Sequence, residues 1–244
     1  MTNYLLTIRF DGSAYHGWQY QENAVSVQQC VMEAAARMFG ETLTVNGCSR
    51  TDAGVHANRF CCNFKAPREY PTENVLAALN TYLPYDIVVL DCQTVDENFH
   101  ARFSCKSKEY EYVVWNAPVR DPFLAKRAYH YKYPLDAAFL NQQAGDLLGK
   151  HDFACFMAAG SEAKTTVRTL MNADVRREGD KVIFTFRADG FLYNMVRIMT
   201  GTLLYIAAGK IEADTIPAIL ASKDRLQAGI TVPGDGLYLN RIYY

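Results

Sequence analysis

The sequence predicts an α+β fold made of two related halves that repeat one element order, β-α-β-β-α-β. Strand-like and helix-like segments follow one another in that order twice. A polar stretch at residues 96–108 separates the two series. Half of the 244 residues are hydrophobic, enough for a large core. We therefore expect an N-terminal half of residues 1–104 and a C-terminal half of residues 105–244, with a ligand site in the cleft between them.

The first half begins with a β-prone segment that stops at the turn signal Asp11-Gly12-Ser13. A long loop follows, and Ser26 is a good N-cap for a helix that Gly40 would end. The predicted elements, in order, are a strand over residues 4–10, a helix over 27–39, strands over 42–45 and 60–64, a helix over 72–79 and a strand over 86–95.

The second half repeats the pattern without close sequence identity, so its duplication is an interpretation from element order. Aromatic and branched residues alternate along its first strand, and Glu178-Gly179-Asp180 indicates a hairpin turn. The predicted elements are a strand over residues 110–115, a helix over 136–148, strands over 169–175 and 182–187, a long apolar helix over 191–208 and a strand over 237–243.

Composition argues against several classes of protein. Seven cysteines without a Cys-x-x-Cys motif predict reduced thiols, and five widely spaced histidines predict no metal site. No phosphate loop or dinucleotide-binding glycine pattern is present, so we expect no cofactor. The N-terminus lacks a signal-peptide pattern and the longest apolar run is short, which predicts a cytoplasmic protein with no membrane span. The net charge of −1 leaves a locally basic face possible.

The loop at residues 46–57 is the first candidate for chemistry, because it lies between two predicted strands and is rich in short polar residues. Arg50 and Asp52 are two residues apart, so a guanidinium can keep the carboxylate ionised and oriented. The structural alternative is an Asx-turn, in which Asp52 accepts from a backbone N–H near Gly54. Spacing alone favours the turn.

Two further places carry candidate functional side chains. Tyr110 lies on a predicted strand with Lys106 and Lys108 just upstream, a pattern that suits base stacking and phosphate contacts. A half-buried sheet face with solvated lysines explains the same pattern. Arg197 falls within an apolar helix, where it must either reach solvent or pair with a carboxylate such as Asp52.

Five segments taken together resemble one family, the TruA-type tRNA pseudouridine synthases, nearly from end to end of the chain. One such match would be weak, but five in the same order are specific. The segments are FDGS and GWQ within residues 10–19, GCSRTDAGVHA at 47–57, FHARFS and YEY within 99–112, FL, MVR and a glycine within 191–201, and GLYL at 236–239.

The resemblance implies two halves whose ferredoxin-like sheets join into one continuous, mostly antiparallel sheet with a central basic cleft. It implies that Asp52 is the catalytic aspartate, with Arg50 and Arg197 as its cationic partners. Tyr110 would stack on the uracil and is a candidate for the base that takes the C5 proton. The residues implied to bind substrate are Tyr110, Lys106, Lys108, Trp18 and Gln19.

The family further implies a homodimer that modifies uridines near positions 38 to 40 of tRNA without metal or cofactor. The target must leave the base stack, which suits an aromatic partner. Attack at C1′, addition to C6 and removal of the 2′ proton all require an ionised carboxylate. Two alternatives stay open: a tRNA-binding paralogue without activity, and a synthase for another RNA site. Tyr193-Asn194 departs from the histidines or similar polar groups expected there.

Overall fold

The computed structural model describes all 244 residues, with five α-helices and ten strands. The chain divides into two compact units. Unit 1 contains residues 1–106 and 239–244, and unit 2 contains residues 107–238. The predicted α+β class is confirmed. None of the five helices combines the length and apolarity that crossing a membrane requires.

Unit 1 repeats the predicted element order and forms an antiparallel sheet. The elements are β1 (Thr2–Phe10), α1 (Val27–Phe39), β2 (Asn46–Gly47), β3 (His56–Ala66), α2 (Thr72–Tyr82) and β4 (Ile87–Val95). Strand β1 pairs with β3 and β4, β2 pairs with β3, and residues 239–243 of the C-terminal strand lie beside β3.

Helix α1 has the ends that the sequence predicts, because both are set by local signals. The Ser26 hydroxyl accepts a hydrogen bond from the Gln29 N–H, and Gly40 closes the helix in the left-handed region. The apolar face of α1, including Val27 and Val31, is buried, as is the aromatic cluster around Phe64. This core supports the strands on which the candidate site is built.

Unit 2 has the predicted hairpin and long helix together with short elements that the pattern did not predict. The elements are β5 (Ser107–Trp115), β6 (Tyr129–His130), α3 (Ala137–Gly145), β7 (Gly149–Asp152), β8 (Val167–Glu178), β9 (Lys181–Ala188), α4 (Met195–Ala207) and α5 (Ile216–Ser222), followed by β10 (Leu237–Tyr243). The strand order is β5-β9-β8-β7, antiparallel throughout, and β6 pairs with β5 in parallel.

Two of the differences in extent between predicted and observed elements have a local structural cause. No strand covers residues 42–45, although Leu43 and Val45 are buried, because pairing begins only where Asn46 faces Asn63. The helix predicted from residue 191 begins at Met195, since Asn194 has a φ of 60° and interrupts helical geometry. The second difference matters because it leaves Asn194 in a position to bond a helical side chain.

Candidate active site

The loop of residues 48–55, here called the Asp52 loop, is fixed through its backbone by the segment that follows β1. The Trp18 N–H donates to the Thr51 carbonyl at 3.3 Å. The Gly54 N–H donates to the Tyr15 carbonyl at 3.2 Å. Asp52 therefore lies between two points at which the loop is held by residues more than 30 positions earlier in the chain.

The two amides that an Asx-turn at Asp52 would use both have main-chain acceptors. The Gly54 N–H, which such a turn would use, serves the Tyr15 carbonyl, and the Val55 N–H donates to the Asp52 backbone carbonyl at 3.2 Å. Both amides are thus satisfied by main-chain oxygens. The Asp52 side chain is partly exposed and Arg50, on the same loop, is exposed.

Two glycines explain why the segments FDGS and GWQ occur together with the Asp52 loop. A Cβ on Gly12 would overlap the Val55 carbonyl, and one on Gly17 would overlap the Thr51 carbonyl. Gly17 also has a φ of +81°, in the left-handed region. Only residues without a Cβ allow the two backbones to approach this closely, so these segments serve as the support of the loop.

The burial of Trp18 does not suit the substrate contact that the resemblance implied for it. Its indole is 1% exposed and stacks on Phe60, with ring centroids 4.1 Å apart and planes 28° apart. Gly47 makes room for the ring, because a Cβ there would overlap the indole nitrogen. We therefore assign Trp18 a supporting role. Gln19 is exposed, and its amide donates to Gln28 Oε1 at 3.1 Å.

His56 is a residue to which the sequence interpretation gave no role. Its side chain is buried and its Nδ1 accepts a hydrogen bond from the Gly12 N–H at 3.0 Å. The imidazole thereby holds the Gly12 backbone beside the start of β3. Asp11 Oδ1 lies 3.2 Å from the same nitrogen and also accepts from the Ser13 N–H at 3.0 Å. In the sequence, only the position of His56 within the 47–57 segment indicated that it could contribute to the site.

Thr51, beside Asp52, carries a buried hydroxyl oxygen with no hydrogen-bond partner. An unsatisfied buried hydroxyl destabilises a fold, so most such groups find a partner. The Asp52 loop is thus held by its backbone at a position where one side chain is left unsatisfied.

In unit 2, the partners of Arg197 on α4 include two neutral oxygens. Its Nε donates to the Val232 carbonyl at 2.7 Å, and one of its Nη atoms donates to Asn194 Oδ1 at 2.7 Å. The side chain is partly buried, so it does not simply extend into solvent. The departure Tyr193-Asn194 thereby acquires a function, because Asn194 is both the last residue before α4 and an acceptor for Arg197.

Close packing of α4 on the segment 229–232 keeps the Val232 carbonyl beside Arg197. A Cβ on Gly201 would overlap the Ile230 carbonyl. The Gly229 N–H donates to the Thr202 hydroxyl at 2.8 Å. The glycine in the 191–201 segment of the resemblance is therefore explained by backbone contact.

Tyr110 is 6% exposed and lies on β5 with its ring edge-to-face against Phe191, at 5.1 Å between centroids and 84° between planes. Tyr112, on the same face, is a core residue whose hydroxyl donates to the Pro233 carbonyl at 2.8 Å. Burial raises the pKa of Tyr112 above its ordinary value, and the nearby Arg197 guanidinium opposes that rise. A charged Arg197 thus lies among the aromatic residues of unit 2.

The structure distributes the predicted residues over both units. Arg50 and Asp52 share one loop of unit 1, and Tyr110 and Arg197 belong to unit 2. Lys106 is exposed at the end of the first stretch of unit 1, where its N–H donates to the Tyr243 carbonyl at 2.8 Å, whereas Lys108 is partly exposed on β5.

Comparison with known proteins finds a family model described as tRNA pseudouridine synthase, which matches residues 6–104 and 144–244. Asp52 and Arg197 lie inside the matched stretches, and Tyr110 lies between them. Three relatives match this chain over the full length of both sequences. They are the tRNA pseudouridine synthases A of Acetivibrio thermocellus (45% identical) and of Thermoanaerobacter sp. strain X514 (44%), and tRNA pseudouridine synthase A 2 of Clostridium perfringens (41%).

Proposed function

Because this chain belongs to the tRNA pseudouridine synthase family and isomerises uridine to pseudouridine in tRNA, we propose that Asp52 is its catalytic carboxylate. One observation carries the proposal. The two amides that a structural Asp52 would cap, those of Gly54 and Val55, already donate to backbone carbonyls. The carboxylate is partly exposed on a loop whose backbone is anchored on both sides, as a preorganised catalytic group requires.

The reaction explains why a carboxylate and an arginine occur together. The N1–C1′ bond breaks, the uracil turns, C5 bonds to C1′, and a proton leaves C5 while N1 gains one. Attack at C1′, addition to C6 and removal of the 2′ proton each need an ionised carboxylate in fixed orientation. Arg50, on the same loop, supplies a positive charge that can orient the carboxylate. Arg197 is proposed as the second cationic partner that the family resemblance implies.

The remaining assignments are part of the same proposal. Tyr110 stacks on the flipped uracil and is a candidate for the base that takes the C5 proton, while Gln19, Lys106 and Lys108 contact the RNA around it. The targets are uridines near positions 38 to 40 of the anticodon arm. The enzyme acts in the cytoplasm as a homodimer. Each protomer has an N-terminal half of residues 1–104 and a C-terminal half of residues 105–244.

The role of Asp52 is tested by release of tritium from tRNA labelled at uracil C5. Asp52→Asn should reduce release by about 10³-fold or more, because the amide cannot act as a nucleophile or base. Binding of tRNA should change little. Asp146→Asn, which alters an exposed carboxylate at the end of α3, is the matched control and should keep full activity. Undiminished release by Asp52→Asn would overturn the assignment.

The target position is tested by mapping pseudouridine in total RNA from a deletion strain. Loss confined to positions 38 to 40 of several tRNAs is expected. Loss at another tRNA position would show that the enzyme modifies that position and not the anticodon arm. The role of Asp52 would still be tested separately by tritium release.

A further inference from the structure

The segment of residues 116–133, here called the β5 loop, concentrates positive charge. It has a net charge of +3 with its histidine neutral, against −1 for the whole chain. Its single carboxylate, Asp121, accepts from the Phe123 N–H at 2.8 Å. All of its basic residues are exposed, namely Arg120, Lys126, Arg127, His130 and Lys132. A surface of this kind attracts phosphate groups even on a chain that is acidic overall.

The β5 loop is held at its base by hydrogen bonds. The Trp115 indole N–H donates to the Val119 carbonyl at 2.9 Å, and the Asn116 amide donates to the Tyr131 carbonyl at 2.8 Å. Strand β6 pairs with the end of β5, so both ends of the loop are closed at one place. A surface ordered in advance loses little conformational entropy when it binds.

The tip of the β5 loop presents apolar side chains to solvent. Phe123, between Arg120 and Lys126 in the chain, is 84% exposed, and Val119, directly before Arg120, is 73% exposed. Exposed apolar side chains grouped within a basic segment suit an interaction site. Aromatic rings interleaved with basic residues suit unpaired bases joined by phosphates.

Position along β5 separates this surface from the reacting nucleotide. Tyr110 precedes Trp115 by five strand residues, about 17 Å at the rise of an antiparallel strand. The β5 loop therefore reaches RNA outside the target nucleotide. It also lies between the two stretches matched by the family model. A second copy of this chain is a poorer partner, because an isologous contact would bring two +3 surfaces together.

We propose that the β5 loop is a second RNA-binding surface, which holds the tRNA backbone with its basic side chains and an unpaired base with Phe123. The proposal rests on the proposed function in that it takes tRNA as the ligand. It adds a contact that acts on affinity, through residues that do not touch the reacting atoms.

The test compares two charge variants. Arg120→Gln with Lys132→Gln removes two charges from the β5 loop. Arg37→Gln with Lys65→Gln removes the same charges from exposed positions of unit 1. The β5 loop variant should bind full-length tRNA about 10-fold more weakly, and the slope of log affinity against log salt should fall by about 1 to 2. The unit 1 variant should show neither change, and kcat at saturating tRNA should be unchanged in both.

The aromatic contact is tested by Phe123→Ala, with Leu226→Ala as a control at another exposed apolar position, 87% accessible. Phe123→Ala should weaken tRNA binding about 10-fold with little change in salt slope, because stacking involves no counterion release. Unaltered affinity in the charge and aromatic variants would overturn the proposal. So would dissociation of an oligomer by Phe123→Ala at unchanged RNA affinity, which would assign the loop to a protein partner. Measuring tRNA affinity with each β5 loop substitution placed in the Asp52→Asn enzyme keeps the measurement independent of catalysis.

Discussion

The Asp52 loop of unit 1 and the Arg197 helix of unit 2 both use close backbone packing to position a charged side chain. They differ in how much regular structure holds that side chain. In both, a glycine lets one backbone lie against another, Gly17 against Thr51 and Gly201 against Ile230. Arg197 then has two neutral acceptors and a helix beneath it. The Asp52 loop has no regular secondary structure of its own at residues 48–55.

The two regions should therefore respond differently to substitution. A helix keeps its shape through its own hydrogen bonds, so a substitution in α4 should displace Arg197 only slightly. The Asp52 loop depends on a few long-range backbone contacts, so the loss of one should displace the carboxylate. Matched substitutions in the two regions should therefore differ in their effects.

Gly17→Ala should destabilise the protein by about 3 kcal/mol or more, because it combines a left-handed φ with overlap of the Thr51 carbonyl. Gly40→Ala is the matched control, since Gly40 has a φ of +80° and nothing within 4 Å of its added Cβ. It should cost only about 1 kcal/mol for the backbone conformation. Urea unfolding measures both values, and tritium release should fall only in Gly17→Ala. Equal losses of stability in Gly17→Ala and Gly40→Ala would show that the Asp52 loop can move to accommodate the added methyl group.

Gly201→Ala should cost about 2 kcal/mol, because overlap with the Ile230 carbonyl outweighs the better helix propensity of alanine. Gly145→Ala in α3 is the control, since its added Cβ has no neighbour within 4 Å. That change should leave stability unchanged or raise it by up to about 1 kcal/mol. Thermal unfolding distinguishes the pair. A stabilising Gly201→Ala would contradict the account of how α4 is packed.

The parts of the fold that sequence could predict are those set by neighbouring residues. Helix α1 has the predicted bounds because Ser26 and Gly40 act within one turn of its ends. The strand expected at residues 42–45 was wrong, because strand assignment depends on pairing with Asn63, 17 positions after Asn46. Local propensity carries no information about such a partner.

The site shows the same limit. Arg50 and Asp52 could be proposed from one short segment, and their neighbours in the chain suggested a turn. Burial of Trp18 against Phe60 and the bond from the Gly12 N–H to His56 join residues more than 40 positions apart. These contacts depend on tertiary packing, so no reading of spacing could separate a supporting tryptophan from one that contacts substrate.

Asn194→Ala should cost about 1 to 2 kcal/mol, since alanine at a φ of 60° is strained and Arg197 loses an acceptor. Asn194→Gly keeps the backbone conformation, and its stability should lie closer to wild type. Both variants should lower kcat/KM about tenfold, because the guanidinium is no longer held in one orientation. If only Asn194→Ala lowers activity, the backbone conformation matters and the hydrogen bond does not.

Thr51→Val should change stability least and in the opposite direction. The buried Thr51 hydroxyl has no partner, so an isosteric methyl group should leave the free energy of unfolding unchanged or raise it by up to about 1 kcal/mol. Thr51→Ser keeps the hydroxyl and loses a methyl group, so it should be slightly less stable than wild type. Urea unfolding of the three proteins gives the order Val, Thr, Ser. A destabilising Thr51→Val would show that the hydroxyl is satisfied in solution, and the Asp52 loop would then be as fully bonded as the surroundings of Arg197.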